Sequence, residues 1–351
     1  MPVKIHEKYI NRCIQLAQNG LGRTYPNPVV GSVIVYKDRI IGEGWHQKAG
    51  EPHAEVHAVN SVKDKNLLSK ATIYVSLEPC SHYGKTPPCS NLIIDSGIKK
   101  VVIGTVDPFA EVAGKGIKKL MDAGCEVRVG VLEQQCRDLN KRFFTFHTKL
   151  RPYIILKWAQ TLDGFLAPIP KKDAKRQPVW ITQKYSQQLV HKWRAIEQAI
   201  MVGTSTAVMD NPKLNTRLWH GPDPVRVVLD RSLRIPQESY LFDGSVKTIV
   251  LTEKLPEIKT SKNVIFESLD FNKDLPKQIC EILYRHEVQS VIIEGGRETL
   301  QTFISVNMWD EARIFTGKIH FREGIKAPKL QGKFSSQTNI GADDLKIYFN
   351  D

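Results

Sequence analysis

Apolar positions along the first 150 residues switch between two periods. Tyr9, Ile10, Cys13, Ile14 and Ala17 recur at helical spacing, and Asn19-Gly20 ends the run. "GSVIVY" and "IIGEGW" flank Lys37-Asp38-Arg39 and predict a hairpin. "AEVHAVNSV" suits a helix, and "TIYVSLE" is a strand of the buried kind. Next come "NLIIDSG" (helix), "KKVVIGTVD" (strand), "GIKKLMDAG" (helix) and "EVRVGV" (strand), then one helix over Leu132–Thr148. A second alternating series starts at "RPYIILKWAQTLDG". Its strands are "AIMVG", "PVRVVLD", "KTIVLT", "NVIFE", "SVIIEGG", "DEARIFTG" and "LKIYF". Its helices fit Lys184–Glu197, Leu275–Arg285 and Glu298–Val306. The pattern predicts two α/β domains, residues 1–149 and 150–351, each with a central sheet covered by helices.

Composition narrows the class. At 41% hydrophobic and 25% charged residues, the chain reads as globular protein with a core in each half. No apolar run approaches the ~20 residues that span a bilayer, and "MPVKIHEKYINRC" lacks a signal-peptide core. A cytoplasmic setting is therefore expected, where six sparse cysteines stay reduced. The net charge of +13 divides into +7 for residues 1–149 and +6 for the rest. That even spread argues against a nucleic-acid tail or stripe, and no membrane partner is expected. The dense run "KKDAKR" lies among prolines and reads as a solvated loop.

The candidate chemistry of the first half centres on three residues. His53 begins a predicted helix in "PHAEVHA", and Cys80 and Cys89 follow a predicted strand. One His and two Cys make a three-ligand zinc set, which leaves a fourth tetrahedral position for water. Glu55, two residues after His53, is placed to move protons without being a ligand. A closed, structural site is the alternative; it needs a fourth ligand, for which His57 and His82 are the tempting residues. The order His-x-Glu, Pro-Cys, Cys is that of the zinc nucleobase deaminases. Cys13, Cys125, Cys136 and Cys280 sit in apolar or helical settings and read as plain thiols. In the second half, "SVIIEGGRETLQTFI" is a strand, a Gly pair and a helix, a pattern that suits either a nucleotide phosphate or a tight turn.

Longer stretches carry a resemblance. "YPNPVVGSVIV", "GEGWHQKAGEPHAEVHA", "SLEPCSHYGKTPPCSNLI" and "DPFAEVAGKGI" closely resemble the pyrimidine deaminase of riboflavin biosynthesis, over residues 5–130. The eight residues between the two cysteines, where other zinc deaminases usually have two, are characteristic of that enzyme. "KWAQTLDG", "WIT", "MVGTSTAVMDNPKLNTRL", "VVLDRSLRIP" and "VIIEGG" resemble the reductase half of the bifunctional deaminase/reductase family, over 152–316. The approach "KKDAKRQPVWIT" lacks the Gly and Ser that the family usually shows there.

The resemblance implies a cytidine-deaminase-like three-layer α/β/α domain and a dihydrofolate-reductase-like α/β domain. It implies Zn2+ on His53, Cys80 and Cys89, with Glu55 as the catalytic acid/base. NADPH is implied at Ala159, Trp180, Thr206, Asp210, Gly296, Arg297, Glu298 and Thr299. Arg194, Leu214, Arg217 and Glu294 match substrate positions, with Lys157 beside them. Lys85 suits the substrate phosphate, and Asn27, His46 and His82 are further candidate substrate contacts. The implied reactions are hydrolytic deamination of 2,5-diamino-6-(5-phosphoribosylamino)pyrimidin-4-one and NADPH-dependent reduction of its ribosyl chain to ribityl. The expected partner is thus a small phosphorylated pyrimidine, and a homo-oligomer is expected. Two other classes fit the residues less well: a nucleic-acid deaminase with an added RNA-binding domain, and a zinc-stabilised binding module.

Overall fold

The computed structural model describes residues 3–81, 87–109, 113–169, 179–257 and 261–350. It divides into two compact units, Met1–Leu150 and Arg151–Asp351. No helix of the described residues is long and apolar enough to cross a membrane.

The first unit contains α1 (Val3–Ala17), β1 (Gly31–Tyr36), β2 (Arg39–Trp45), α2 (Ala54–Ser61), β3 (Thr72–Leu77), α3 (Cys89–Asp95), β4 (Lys100–Thr105), α4 (Lys115–Asp122), β5 (Glu126–Val129), α5 (Glu133–Leu139) and α6 (Lys141–Lys149). Its sheet runs β2-β1-β3-β4-β5. The β1–β2 and β1–β3 pairs are antiparallel; β3–β4 and β4–β5 are parallel. Alternation along the strands builds two cores. Val33, Val35, Tyr74 and Val102 meet Tyr9, Ile10, Cys13 and Leu16 of α1 on one face. Ile34, Ile73, Val75, Val101 and Ile103 meet Ala58, Val59, Ile93 and Leu120 of α2, α3 and α4 on the other. The hairpin turn is tighter than expected: Lys37 and Asp38 alone form it, both with φ > 0 (46° and 60°), and Arg39 already belongs to β2.

The single helix expected over Leu132–Thr148 is in fact two. The break falls at Asn140, whose side chain is committed to a distant strand entry. Its Oδ1 accepts the Val29 N–H at 2.9 Å and its Nδ2 donates to the Val29 carbonyl at 2.9 Å. Asn140 is 4% exposed, so water is a poor substitute for these bonds.

The second unit contains β6 (Tyr153–Gln160), β7 (Phe165–Ala167), α7 (Lys184–Ile196), β8 (Ala199–Gly203), α8 (Thr204–Asp210), β9 (Val225–Leu229), β10 (Thr248–Thr252), β11 (Val264–Ser268), α9 (Leu275–Arg285), β12 (Ser290–Gly295), α10 (Arg297–Ser305), β13 (Glu311–Thr316), β14 (Ile325–Lys326), β15 (Lys333–Ile340) and β16 (Asp343–Phe349). Nine strands form one sheet in the order β11-β10-β9-β8-β12-β6-β13-β16-β15, and β7 pairs with β14 apart from it. Pairing is parallel from β11 through β13 and antiparallel for β16 and β15. Ile154, Leu156 and Trp158 face α9 and α10, packing with Ile279, Leu283, Leu300 and Phe303. Trp193 of α7 packs on Tyr153, Ile155 and Ile292 from the other side. Parallel strands buried on both faces explain the near-continuous apolar runs in the sequence.

Asn140→Ala is expected to leave the Val29 N–H and carbonyl buried without partners, lowering stability by about 2–4 kcal/mol. Urea unfolding checks this: the midpoint of the first unit's transition should fall with its m-value unchanged.

Candidate active sites

In the first unit, two helix starts meet the end of a strand. His53 is the N-cap of α2, with extended backbone (φ −73°, ψ 167°). Cys89 is the first residue of α3, following Pro88. Pro79-Cys80 lies just beyond β3. Helix N-termini favour thiolates through their partial positive charge. His53 Nδ1 lies 3.5 Å from Cys80 Sγ and 3.3 Å from Cys89 Sγ. All three donor atoms fall within 4.8 Å of one another, and they are the one such His/Cys/Asp/Glu group among the described residues. Tetrahedral bonds of ~2.3 Å to sulfur and ~2.0 Å to nitrogen separate those atoms by about 3.5 Å, so the spacing suits zinc. The Cys89 N–H donates to Cys80 Sγ at 3.3 Å. Hydrogen bonding from Cys89 and His53 holds the Cys80 thiol well below the usual range.

Glu55 lies in the first turn of α2 and is 3% exposed. Burial pushes its carboxyl up to about 7, although the nearby His53 pulls the other way. A carboxyl that gains and loses a proton near neutrality is what proton transfer at pH 7 requires. Asn27 and His46 are brought to the same place. The His46 ring sits 5.3 Å from that of His53, edge to face. His46 Nδ1 lies 3.2 Å from the Pro52 carbonyl, so Nδ1 carries the proton. Its Nε2 therefore accepts from Asn27 Nδ2 at 3.1 Å. Burial lowers the His46 pKa and favours this neutral form. His57 is not part of the donor group, although its Nε2 is buried without a hydrogen-bond partner. His82 and Lys85 lie outside the described residues, as does all of the "KKDAKRQP" approach.

One residue that the sequence reading missed organises this site. Glu78, 4% exposed, directly precedes Pro79-Cys80. It accepts four backbone N–H bonds, from Asp107 (3.3 Å), Gly114 (2.9 Å), Gly116 (2.9 Å) and Ile117 (3.2 Å). These tie the end of β3 to the start of α4. A Cβ on Gly116 would stand 2.0 Å from the Pro79 carbonyl, so only glycine permits that approach. The signal in the sequence was a carboxylate ending a buried strand, but its partners lie 29 to 39 residues away.

In the second unit, the expected substrate residues gather around Glu294 near the end of β12. Arg194 Nη2 donates to Glu294 Oε2 at 2.8 Å, and Lys157 Nζ lies 3.9 Å from Oε1. Burial would raise the Glu294 carboxyl, but Arg194 and Lys157 overcome it and hold the group at about 2. Burial lowers the Lys157 pKa, and Glu294 opposes that fall. Arg194 Nη1 also donates to the Asn215 carbonyl (3.2 Å), and Arg217 Nη1 to Asn215 Oδ1 (3.1 Å). Leu214 has left-handed backbone (φ 50°), and its side chain is in the core with Val202 and Ala207; it shapes the turn into Asn215.

The expected dinucleotide residues lie mostly at the ends of β8 and β12, which are neighbours. Gly295 has φ 136°, a region that favours glycine, and Gly296 is the N-cap of α10. Arg297, Glu298 and Thr299 form the first turn of α10. A Cβ on Gly203 would lie 2.4 Å from Thr299 Oγ1, and one on Gly296 3.3 Å from Thr206 Oγ1. Thr206, Gly296 and Thr299 are thus close together, with Asp210 closing α8. Ala159 is half-buried near the end of β6. Trp180 is exposed, next to Ile181, whose carbonyl packs on Gly317 just past β13. Open parallel sheets bind ligands at such strand ends.

Comparison with known proteins matches residues 3–105 to the cytidine and deoxycytidylate deaminase zinc-binding region, and residues 152–321 to the RibD C-terminal domain. Together with the two residue groups described above, these matches define an enzyme of two active sites, a zinc-type deaminase followed by a reductase. Among whole-chain relatives, the riboflavin biosynthesis protein RibD of Aquifex aeolicus is 39% identical over 350 residues, covering 98% of this chain and 92% of that protein. RibD of Bacillus amyloliquefaciens is 40% identical over 336 residues, covering 93% and 88%. The crystal structure of the Thermotoga maritima diaminohydroxyphosphoribosylaminopyrimidine deaminase/5-amino-6-(5-phosphoribosylamino)uracil reductase superposes with a TM-score of 0.90, at 37% identity and 99% coverage of each chain. Acinetobacter baumannii RibD, form 1, gives a TM-score of 0.89 at 32% identity, covering 100% of each chain. The chain belongs to the RibD family and is a bifunctional deaminase/reductase of the riboflavin pathway. Its first unit is the deaminase-like α/β/α fold, with a His/Cys cluster suited to zinc, and its second the reductase-like α/β fold.

Glu294 also makes a prediction about acid stability. Its folded pKa of about 2 lies below its ordinary 4.5, so the unfolded chain binds the proton more readily. The stability contributed by ionised Glu294 is full above pH 4.5 and is lost as pH falls toward 2. Glu294→Gln should cost about 3 kcal/mol at neutral pH and flatten that acid slope, which urea midpoints between pH 5 and 3 will show.

Proposed function

We propose that this chain deaminates 2,5-diamino-6-(5-phosphoribosylamino)pyrimidin-4-one and then reduces the ribosyl chain of the product to ribityl, giving 5-amino-6-(5-phosphoribitylamino)uracil. The observation that carries the reading is the buried Glu55 carboxyl in the first turn of α2, two residues from His53, beside a three-donor His/Cys2 group. The name of the Thermotoga maritima relative supports the choice of substrate.

In the deaminase, His53, Cys80 and Cys89 hold Zn2+. Bound zinc supplies the Lewis acidity that makes water a nucleophile near neutral pH. Glu55 accepts one proton of the attacking water and delivers it to the ring nitrogen, then carries the remaining hydroxyl proton to the amino group, which leaves as ammonia as the carbonyl forms. Neutral His46, fixed by the Pro52 carbonyl, orients Asn27 toward the pyrimidine. His82 and Lys85 are proposed contacts from the loop between the cysteines, with Lys85 meeting the phosphate.

In the reductase, Ala159, Trp180, Thr206, Asp210 and the turn Gly296-Arg297-Glu298-Thr299 would hold NADPH, which would supply the hydride. Glu294 orients Lys157 and Arg194, so that Lys157 meets the ribose oxygen that gains charge as hydride adds at C1′. Arg194 and Arg217 offer planar forks to the substrate phosphate, and Leu214 shapes the wall between them.

Glu55→Gln is expected to lower ammonia release by about 10²–10⁴-fold while zinc content stays at one per chain. NADPH oxidation on separately supplied deaminated substrate should be unchanged. Undiminished ammonia release would overturn the assignment. Removing the metal with a chelator should likewise stop ammonia release and spare reduction of the deaminated substrate. Cys89→Ala should fail to retain zinc on metal analysis.

A further inference from the structure

The chain segment that carries Arg217 is docked against one face of α7, and His191 makes the contact that falls on Arg217 itself. Three positions of α7, spaced i, i+3 and i+4, touch this segment. Arg194 donates to the Asn215 carbonyl at 3.2 Å. Ala195 packs so closely on Gly221 that a Cβ there would lie 2.5 Å from its own Cβ. His191 Nδ1 accepts the backbone N–H of Arg217 at 3.1 Å. The segment is closed further along by the Thr216 N–H, which donates to Asp223 Oδ1 at 2.6 Å.

We propose that His191 is a positioning residue of the reductase: as a neutral Nε2–H imidazole it fixes the Arg217 backbone, so that the exposed Arg217 guanidinium is aimed at the substrate phosphate. The inference rests on the reading of Arg217 given above.

Three arguments support it. An acceptor is needed at Nδ1, because the group facing it is an N–H. The acceptor has to be uncharged, because Arg194, Arg217 and Lys157 already place three cations around His191 against the single carboxylate of Glu294. Burial and those cations depress the His191 pKa to about 4, so the imidazole is neutral throughout the physiological range. Finally, among the described residues the Arg217 guanidinium makes one hydrogen bond, to Asn215 Oδ1, two residues away. Fixing the backbone is therefore what limits the reach of the side chain, since a long Arg stem samples many rotamers otherwise.

The test is steady-state kinetics of NADPH oxidation by the full-length enzyme. Two substrates are compared: the deaminated phosphoribosyl compound and its analogue with a free 5′-hydroxyl. His191→Phe is expected to raise KM for the phosphorylated substrate about tenfold and to change kcat less, with KM for the 5′-hydroxyl analogue unmoved. His191→Asn places an oxygen the same number of bonds from Cβ as Nδ1, and should restore KM to within about twofold. Arg217→Ala, run beside them, separates the two levels of the argument. If Arg217→Ala raises KM for the phosphorylated substrate and His191→Phe does not, the positioning role is overturned while the reading of Arg217 stands. If Arg217→Ala itself leaves that KM unchanged, the phosphate reading falls and the inference with it. Equal rises for both substrates would also overturn it. Should the Phe variant fail to fold, a KM that stays at the wild-type value in a folded His191→Ala does the same.

Discussion

A carboxylate at the end of a central strand has to find compensation for its charge, and the two units meet this need in different ways. Glu78 follows β3, the middle strand of the first sheet; four backbone N–H groups close on it. Glu294 lies on β12, the middle strand of the second; Arg194 and Lys157 close on it. An isolated buried charge would be prohibitive, so each arrangement fixes what surrounds it. Around Glu78 this fixes the entry to Cys80 and the start of α4. Around Glu294 it fixes two cations and, through Arg194, the segment that carries Arg217.

Glu55 shows what happens when compensation is withheld. It is as buried as Glu78, but burial dominates its surroundings and its proton is held to about pH 7. Residue type therefore does not separate the two carboxylates; what surrounds each one does. The same logic applies to the histidines. His46 and His191 are buried, neutral and locked in one tautomer by a backbone group, whereas His53 presents Nδ1 to two sulfurs. Of the three, His53 alone belongs to a group of donor atoms that suits a metal.

These distinctions mark the limit of what the sequence disclosed. Strands such as "TIYVSL" and "SVIIEG" were legible because both faces are buried, which leaves an unbroken apolar run. The metal donors were legible because residue type and order suffice to name them. Asn140 was not: what splits the helix is a pair of bonds to Val29, 111 residues earlier. β15 was not either, because nearly all of "KFSSQTNI" is exposed and carries no alternation to read. Glu78 and His191 share the first difficulty. Each is defined by N–H groups that arrive from other elements, and a backbone donor leaves no trace in residue identity.

The strong positive charge allowed both nucleic acid and a phosphorylated small molecule as partners. The geometry of the second unit weighs on that choice. Its site cations are neither a stripe nor a row on an exposed helix face, the usual footprint of a nucleic-acid surface. Lys157 and Arg194 are buried to within 15% and 11% exposure and are tied to one carboxylate. Arg217 approaches them through a segment docked on α7. Three cations against Glu294 leave an excess of positive charge around His191, and under the proposed function a phosphate monoester, roughly −2 above its second pKa, would answer it. A polyanion would gain little from charges it cannot reach, whereas under the proposed function one terminal phosphate would be met by the exposed Arg217.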